Sequence, residues 1–138
     1  MYGRAVSASH AHVEGLVPVL HVLDLRRSVE FYERFGFEVR NSHDVDGRRV
    51  WCWLERNQAR LMLAEEEVPV PAEQQFVLFY LYAHDLEDLH DRLTEAALEP
   101  GPIEPGAPGP DRQFSIDDPD GYNLTVTDAE ALRVPPRR

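Results

Sequence analysis

The strongest constraint on this chain is that one pattern occurs in it twice. LVPVLHVLDLRRSVEFYERFGFEV, residues 16–39, is an apolar run, an Asp-Leu pair and a helical periodicity that ends near Gly36. FVLFYLYAHDLEDLHDRLTEAALEP, residues 76–100, follows the same order, with Asp85-Leu86 placed 61 residues after Asp24-Leu25. Under that offset Phe37 meets Leu98 and Glu38 meets Glu99. Few letters coincide, so the repeat lies in the pattern, and the chain is expected to build one supersecondary unit two times.

Each unit opens with β-branched and aromatic residues that read as a strand. Asp24 and Asp85 then stand at N-cap positions, where a carboxylate accepts from the first free helical N–H groups. Leu25, Val29, Tyr32 and Phe35 share one face of the first helix; Leu86, Leu89, Leu93 and Ala97 share one face of the second. These stripes are core. After the first helix come strands at 37–41, 49–55 and 59–64, joined by an Asp46-Gly47 turn and an Asn57-Gln58 turn. In the second unit EPGPIEPGAPGPDR, residues 99–112, holds five Pro and three Gly and is expected to be an irregular loop. Strands at 113–116 and 122–127 then flank DDPDG, whose Pro, Gly and Asp residues suit a tight turn. The expected organisation is a flexible extension at 1–14, a first module at 15–64, a polar linker at 65–75, a second module at 76–130 and a tail at 131–138.

Charge narrows the partners. Asp and Glu number 25 against 14 Lys and Arg, a formal charge of −11. Such a field repels phosphate backbones and anionic lipid, which argues against nucleic acid and membrane surfaces and favours cations. Cys52 is the single cysteine, so neither an internal disulfide nor a Cys-based zinc cluster can form. No apolar run reaches membrane-spanning length and the N-terminus lacks an apolar leader core, so a soluble, cytoplasmic protein is expected.

The two units, together with VPVLHVLDLRRSVEFYERFGF and RQFSIDDPDGYNL, resemble the vicinal oxygen chelate superfamily (glyoxalase I, bleomycin-resistance proteins, extradiol dioxygenases), most closely its bleomycin-resistance branch. The resemblance implies an α+β fold of two tandem βαβββ modules forming a concave, partly open β-barrel-like cleft. It also implies a homodimer with clefts built partly at the subunit interface, and a ligand of bleomycin type or another natural product. In the superfamily's enzymes a His or Glu from the first and the fourth strand of each module binds a divalent ion. Those positions fall here on Val17, Met62, Leu78 and Thr125, none a usual ligand for such an ion, so no metal and no other cofactor is expected. A slip of one residue would reverse the strand's facing and does not rescue the site.

The candidate ligand-binding residues are therefore mostly aromatic. Trp51 and Trp53 share a strand face opposite Val50, Cys52 and Leu54, and Tyr80 and Tyr82 share the face of Leu78. The resemblance places Trp51 and Tyr80 where bleomycin-resistance proteins carry drug-stacking aromatics. Flat rings in an acidic field suit a planar or cationic ligand; filling the cavity or a dimer interface is the alternative. Met62 and Thr125 belong to the same surface, and Arg112 and Gln113, at the exit of the Pro/Gly loop, add candidate polar contacts. His21, four residues after Val17, is either a polar anchor or base in the cleft or a hydrogen-bonded histidine near the strand end; the sequence shows it no carboxylate partner. The leading expectation is a non-catalytic binding protein. The rivals are a metal-dependent or His21-assisted lyase, isomerase or dioxygenase, and an accessory module whose cavity has become core.

Overall fold

In the computed structural model, residues 12–68, 71, 74–75, 77–105 and 112–133 are described. Most of the expected extension at 1–14, the tail beyond 133 and the centre of the Pro/Gly loop lie outside the described residues. The elements run β1 (Val19–Val22), α1 (Leu25–Glu33), β2 (Glu38–Val45), β3 (Arg48–Arg56), β4 (Ala59–Glu65), β5 (Phe79–Ala83), α2 (Leu86–Glu95), β6 (Glu104–Pro105), β7 (Arg112–Asp117), β8 (Asn123–Asp128) and α3 (Glu130–Arg133). The βαβββ order occurs twice. Each unit makes one four-stranded sheet, β1-β4-β3-β2 and β5-β8-β7-β6, and neither closes into a barrel. In both, the first strand runs parallel to the last and the remaining pairs are antiparallel.

Local chemistry explains why the units match. Asp24 accepts from the Arg27 N–H at 3.2 Å and Asp85 from the Asp88 N–H at 3.4 Å, so both expected caps form. Both helices also end alike: Phe37 N–H bonds the Tyr32 carbonyl and Leu98 N–H the Leu93 carbonyl, across a residue at positive φ, Gly36 (96°) or Ala97 (64°). The Asp46-Gly47 turn has both residues at positive φ (52° and 77°), the signature of a two-residue hairpin turn whose twist suits its strands.

Two differences from the sequence reading stand out. The Pro/Gly stretch contains a short strand, because Glu104 and Pro105 pair with Gln113 and Arg112; Pro is tolerated there because β6 is a sheet edge. The expected tail begins with a helical turn, α3, anchored by the Ala129 N–H to the Ala83 carbonyl.

One core serves both units. Leu20, Val22, Cys52, Leu54, Leu61 and Leu63 from the first sheet, Tyr32 and Val29 from α1, and Leu86, Leu93, Phe114, Ile116, Leu124 and Val126 from the second unit form a single buried cluster. The DDPDG turn joins the halves. The buried Asp118 carboxylate accepts from the Tyr32 hydroxyl at 2.7 Å and from the backbone N–H groups of Asp120 and Tyr122, both at 2.9 Å. Asp120 accepts from the Leu23 N–H at 3.0 Å and the Ser28 hydroxyl at 3.2 Å. The Tyr122 hydroxyl donates to the His21 carbonyl at 3.0 Å. These acids are turn residues, as the sequence indicated, and they also clasp α1 and β1 of the other unit. Among the described residues no helix is long and apolar enough to cross a membrane.

Candidate functional site

Strand alternation sorts each sheet into a core face and an open face. In the first sheet the core face carries Leu20, Val22, Cys52, Leu54, Leu61 and Leu63, all buried beneath α1. The opposite face carries Val19 and His21 from β1, Met62, Ala64 and then Glu66 along β4, and Trp51, Trp53 and Glu55 from β3. Register aligns them in rows. Val19, Met62, Trp53 and Asn41 lie side by side, and the next row is His21, Ala64, Trp51 and His43. The two indoles, both half-buried, thus stand next to each other on a surface turned away from the core.

Charged groups bracket this strip. Trp53 Nε1–H donates to Glu55 Oε2 at 2.7 Å, and Arg60 Nε lies 3.5 Å from that same oxygen. The indole N–H, and behind it the Arg60 guanidinium, hold the Glu55 carboxyl below the usual carboxylate range. At the other end His21 Nδ1 lies 3.2 Å from Glu66 Oε1. His21 therefore has the carboxylate partner that the sequence did not reveal. Glu55 and Glu66 were both missed; the face shared by residues 51, 53 and 55 was the available signal for Glu55.

The second sheet repeats the division. Phe79, Leu81, Phe114, Ile116, Leu124 and Val126 pack into the core. Tyr80 and Tyr82 face away from it and remain 47% and 40% exposed. Tyr80, Thr125 and Ser115 form one row, and Tyr82, Thr127, Gln113 and Glu104 the next. Thr125 is buried and Gln113 half-buried on this open face. Arg112 departs from its expected place. It alternates with Gln113, so it lies on the side of Phe114, and its guanidinium grips the Glu87 carboxylate of α2 through both nitrogens, one at 3.1 Å. That pairing lowers the Glu87 pKa and raises that of Arg112.

The structure thus gathers His21, Trp51, Trp53 and Met62 on one sheet and Tyr80, Tyr82, Gln113 and Thr125 on the other. Among the described residues no hydrogen bond or ring contact links the two groups. A groove of about 560 Å³ lies instead on the helix side of the first sheet, lined by Asp24, Arg26, Glu30, Glu33, Arg48 and Glu65. There Glu65 accepts from the Leu25 N–H at 2.9 Å and pairs with Arg48, so its charge already holds the start of α1.

The four positions where the resemblance would put metal ligands do not suit a divalent ion. Val17 and Leu78 precede their strands, Met62 sits between Val19 and Trp53, and Thr125 between Tyr80 and Ser115. Two alkyl groups, a thioether and a hydroxyl are poor donors for a hard or borderline cation. Among the described residues, no three His, Cys, Asp or Glu side chains are grouped so as to hold one.

Residues 11–126 match the sequence profile of the Glyoxalase/Bleomycin resistance protein/Dioxygenase superfamily. No curated protein is significantly similar to the chain. Solved structures agree on the fold. A bleomycin-binding protein complexed with bleomycin superposes with a TM-score of 0.66 at 19% identity, covering 84% of this chain and 98% of the other. The bleomycin-binding protein of bleomycin-producing Streptomyces verticillus, complexed with copper(II)-bleomycin, gives 0.62 at 23% identity, covering 86% and 98%. The fosfomycin resistance protein FosX from Mesorhizobium loti gives 0.66 at 16% identity, covering 85% and 93%.

Proposed function

Because the chain belongs to the Glyoxalase/Bleomycin resistance protein/Dioxygenase superfamily, we propose that it is a metal-free binding protein that sequesters a small molecule, of bleomycin type or another natural product, in an aromatic-lined cleft. The observation that carries this reading is the pair of open sheet faces. One presents Trp51 and Trp53 in register with Met62 and His21, and the other presents Tyr80 and Tyr82 over Thr125 and Gln113. Rings left on a surface in a chain of charge −11 stack on planar ligands and attract cationic ones. The poor donor set at Val17, Met62, Leu78 and Thr125 supports binding without a metal.

A homodimer completes the cleft in this reading. The two aromatic faces belong to different sheets, and β1 and β5, which carry the exposed Val19, Tyr80 and Tyr82, are sheet edges among the described residues. A second copy that brings its second-sheet face over the first-sheet face would enclose ligand between indoles and phenols. The test is expression in a bleomycin-sensitive bacterium. The chain raises tolerance, and replacing Trp51 and Trp53 by Ala abolishes the gain while leaving the amount of soluble protein unchanged. Equal tolerance with and without the chain would count against sequestration of this drug.

The enzyme reading retains one specific observation, the His21–Glu66 pair, since a carboxylate at Nδ1 orients an imidazole for proton transfer at Nε2. Elemental analysis of protein purified without tag or chelator separates the two. A stoichiometric divalent ion would favour the enzyme; sequestration predicts none.

A further inference from the structure

We propose that Glu55 is the specificity-determining residue of the aromatic strip: it fixes the Trp53 ring with one carboxylate oxygen and receives a cationic N–H group of a stacked ligand on the other. This rests on the sequestration reading above and names the ligand chemistry the strip selects, a flat ring system carrying an ammonium, amidinium or guanidinium group at its edge.

The argument begins with the division of labour between two oxygens. Trp53 Nε1 and Arg60 Nε both approach Oε2, at 2.7 and 3.5 Å. Among the described residues no hydrogen bond reaches Oε1, while Arg40 as well as Arg60 acts on the carboxyl through its charge. The side chain is 31% exposed, so the free oxygen is within reach of a ligand yet partly shielded from bulk water. The indole N–H bonds the charged form and so also holds the carboxyl below the usual carboxylate range.

Position supplies the second half. Glu55 continues the face of Trp51 and Trp53, one step beyond Trp53 on the same strand, so Oε1 lies at the border of the stacking surface. A ring stacked on Trp53 therefore brings its edge substituent to Glu55. An indole fixed by its N–H cannot turn away, so the stacking plane exists before the ligand arrives, which reduces the ordering cost of binding. Arg60 sets the selectivity from the other side. Its guanidinium repels a second cation from Oε2, which leaves Oε1 as the oxygen that a ligand cation can use. Glu38, the cross-strand neighbour of Glu55 on this face, is paired with Arg40 at 3.1 Å, while Glu66 is engaged by His21 and stands at the far end of β4, on the order of 20 Å from Arg60 at the usual strand rise. Glu66 cannot serve the same substituent.

The experiment uses the full chain and three acridines of nearly equal size: 9-aminoacridine (charged, with N–H donors), N-methylacridinium (charged, without them) and acridone (neutral). The wild-type protein binds 9-aminoacridine more tightly than acridone by on the order of tenfold, with N-methylacridinium between them. Glu55→Gln, whose amide oxygen still accepts the indole N–H, brings all three to the acridone level without loss of acridone binding. A Glu55→Gln protein that keeps the wild-type preference overturns the proposal. The Trp53 lock has a readout that needs no ligand: of the two indole N–H proton resonances, one shifts on acidification through the Glu55 titration and stays fixed in Glu55→Gln. Two pH-independent indole resonances in the wild type overturn the lock. If none of the acridines binds the wild type, the recognition role of Glu55 is overturned, while the sequestration reading stands or falls separately on the bleomycin tolerance test; a titrating indole alongside that result leaves Glu55 as a purely structural partner of Trp53.

Discussion

At the scale of single residues, Asp118 determines more than any other side chain. It is 5% exposed, and it serves three donors with two oxygens, one of them the fully buried Tyr32 hydroxyl from the other unit. Asp118→Ala strands those donors in the interior and is expected to destabilise the fold by about 2–4 kcal/mol, read as a lower urea midpoint. Tyr32→Phe removes one of the three bonds and is expected to cost about 1–2 kcal/mol. Burial pushes the Asp118 carboxyl above its ordinary range, although its donors pull in the opposite direction. The sign follows: the neutral form is favoured in the folded state, so this contribution to stability is fully present below the unfolded-state pKa and is lost as pH rises through the raised folded value. Asp118→Asn should therefore gain relative to wild type as pH rises across that acidic window; a stability difference that is flat with pH would contradict it. The acids of this turn were legible as turn residues because Pro119 and Gly121 mark a turn locally. Their partners were not legible, because Tyr32 and Ser28 lie 86 and 92 residues away in the chain. Arg112 was misread for the opposite reason: at the mouth of a loop, the facing of a strand residue is set by a register that only the pairing with β6 and β8 defines.

At the scale of elements, the repeat was legible where chemistry is local and lost where it is not. Asp caps, helix stripes and the Asp46-Gly47 turn all depend on neighbours within a few residues. The matching helix ends show what letters conceal: Gly36 and Ala97 occupy the same left-handed position, although only one is a glycine. Ala97 carries strain there, so Ala97→Gly is expected to raise stability by about 0.5–1 kcal/mol, seen as a higher melting temperature. Gly47, at φ 77°, has open space around it, so Gly47→Ala carries only backbone strain and should cost about 1 kcal/mol. A gain in stability from Gly47→Ala would contradict the assigned turn. The strand Glu104–Pro105 escaped notice because two residues carry no alternation to read, and Pro and Gly on both sides imitate an irregular loop.

At the scale of the whole molecule, the chain buries one face of each sheet in a common core and turns the aromatic face of each away from it. The shared facing of Trp51 and Trp53 was legible from alternation, and Met62 came from the resemblance. Its separation from Tyr80 and Tyr82 was not, since a pattern along one chain says which face a residue occupies and nothing about which sheet faces which. The proposed dimer joins them, and sedimentation velocity is expected to give twice the 15.8 kDa chain mass. The central claim is metal-free sequestration on these faces. Calorimetric titration of metal-free bleomycin into chelator-treated protein, with EDTA in both solutions, tests it most directly. The account predicts saturable heat at one ligand per chain, lost when Trp51 and Trp53 are replaced by Ala. No heat, or binding that returns only on adding a divalent ion, would contradict it.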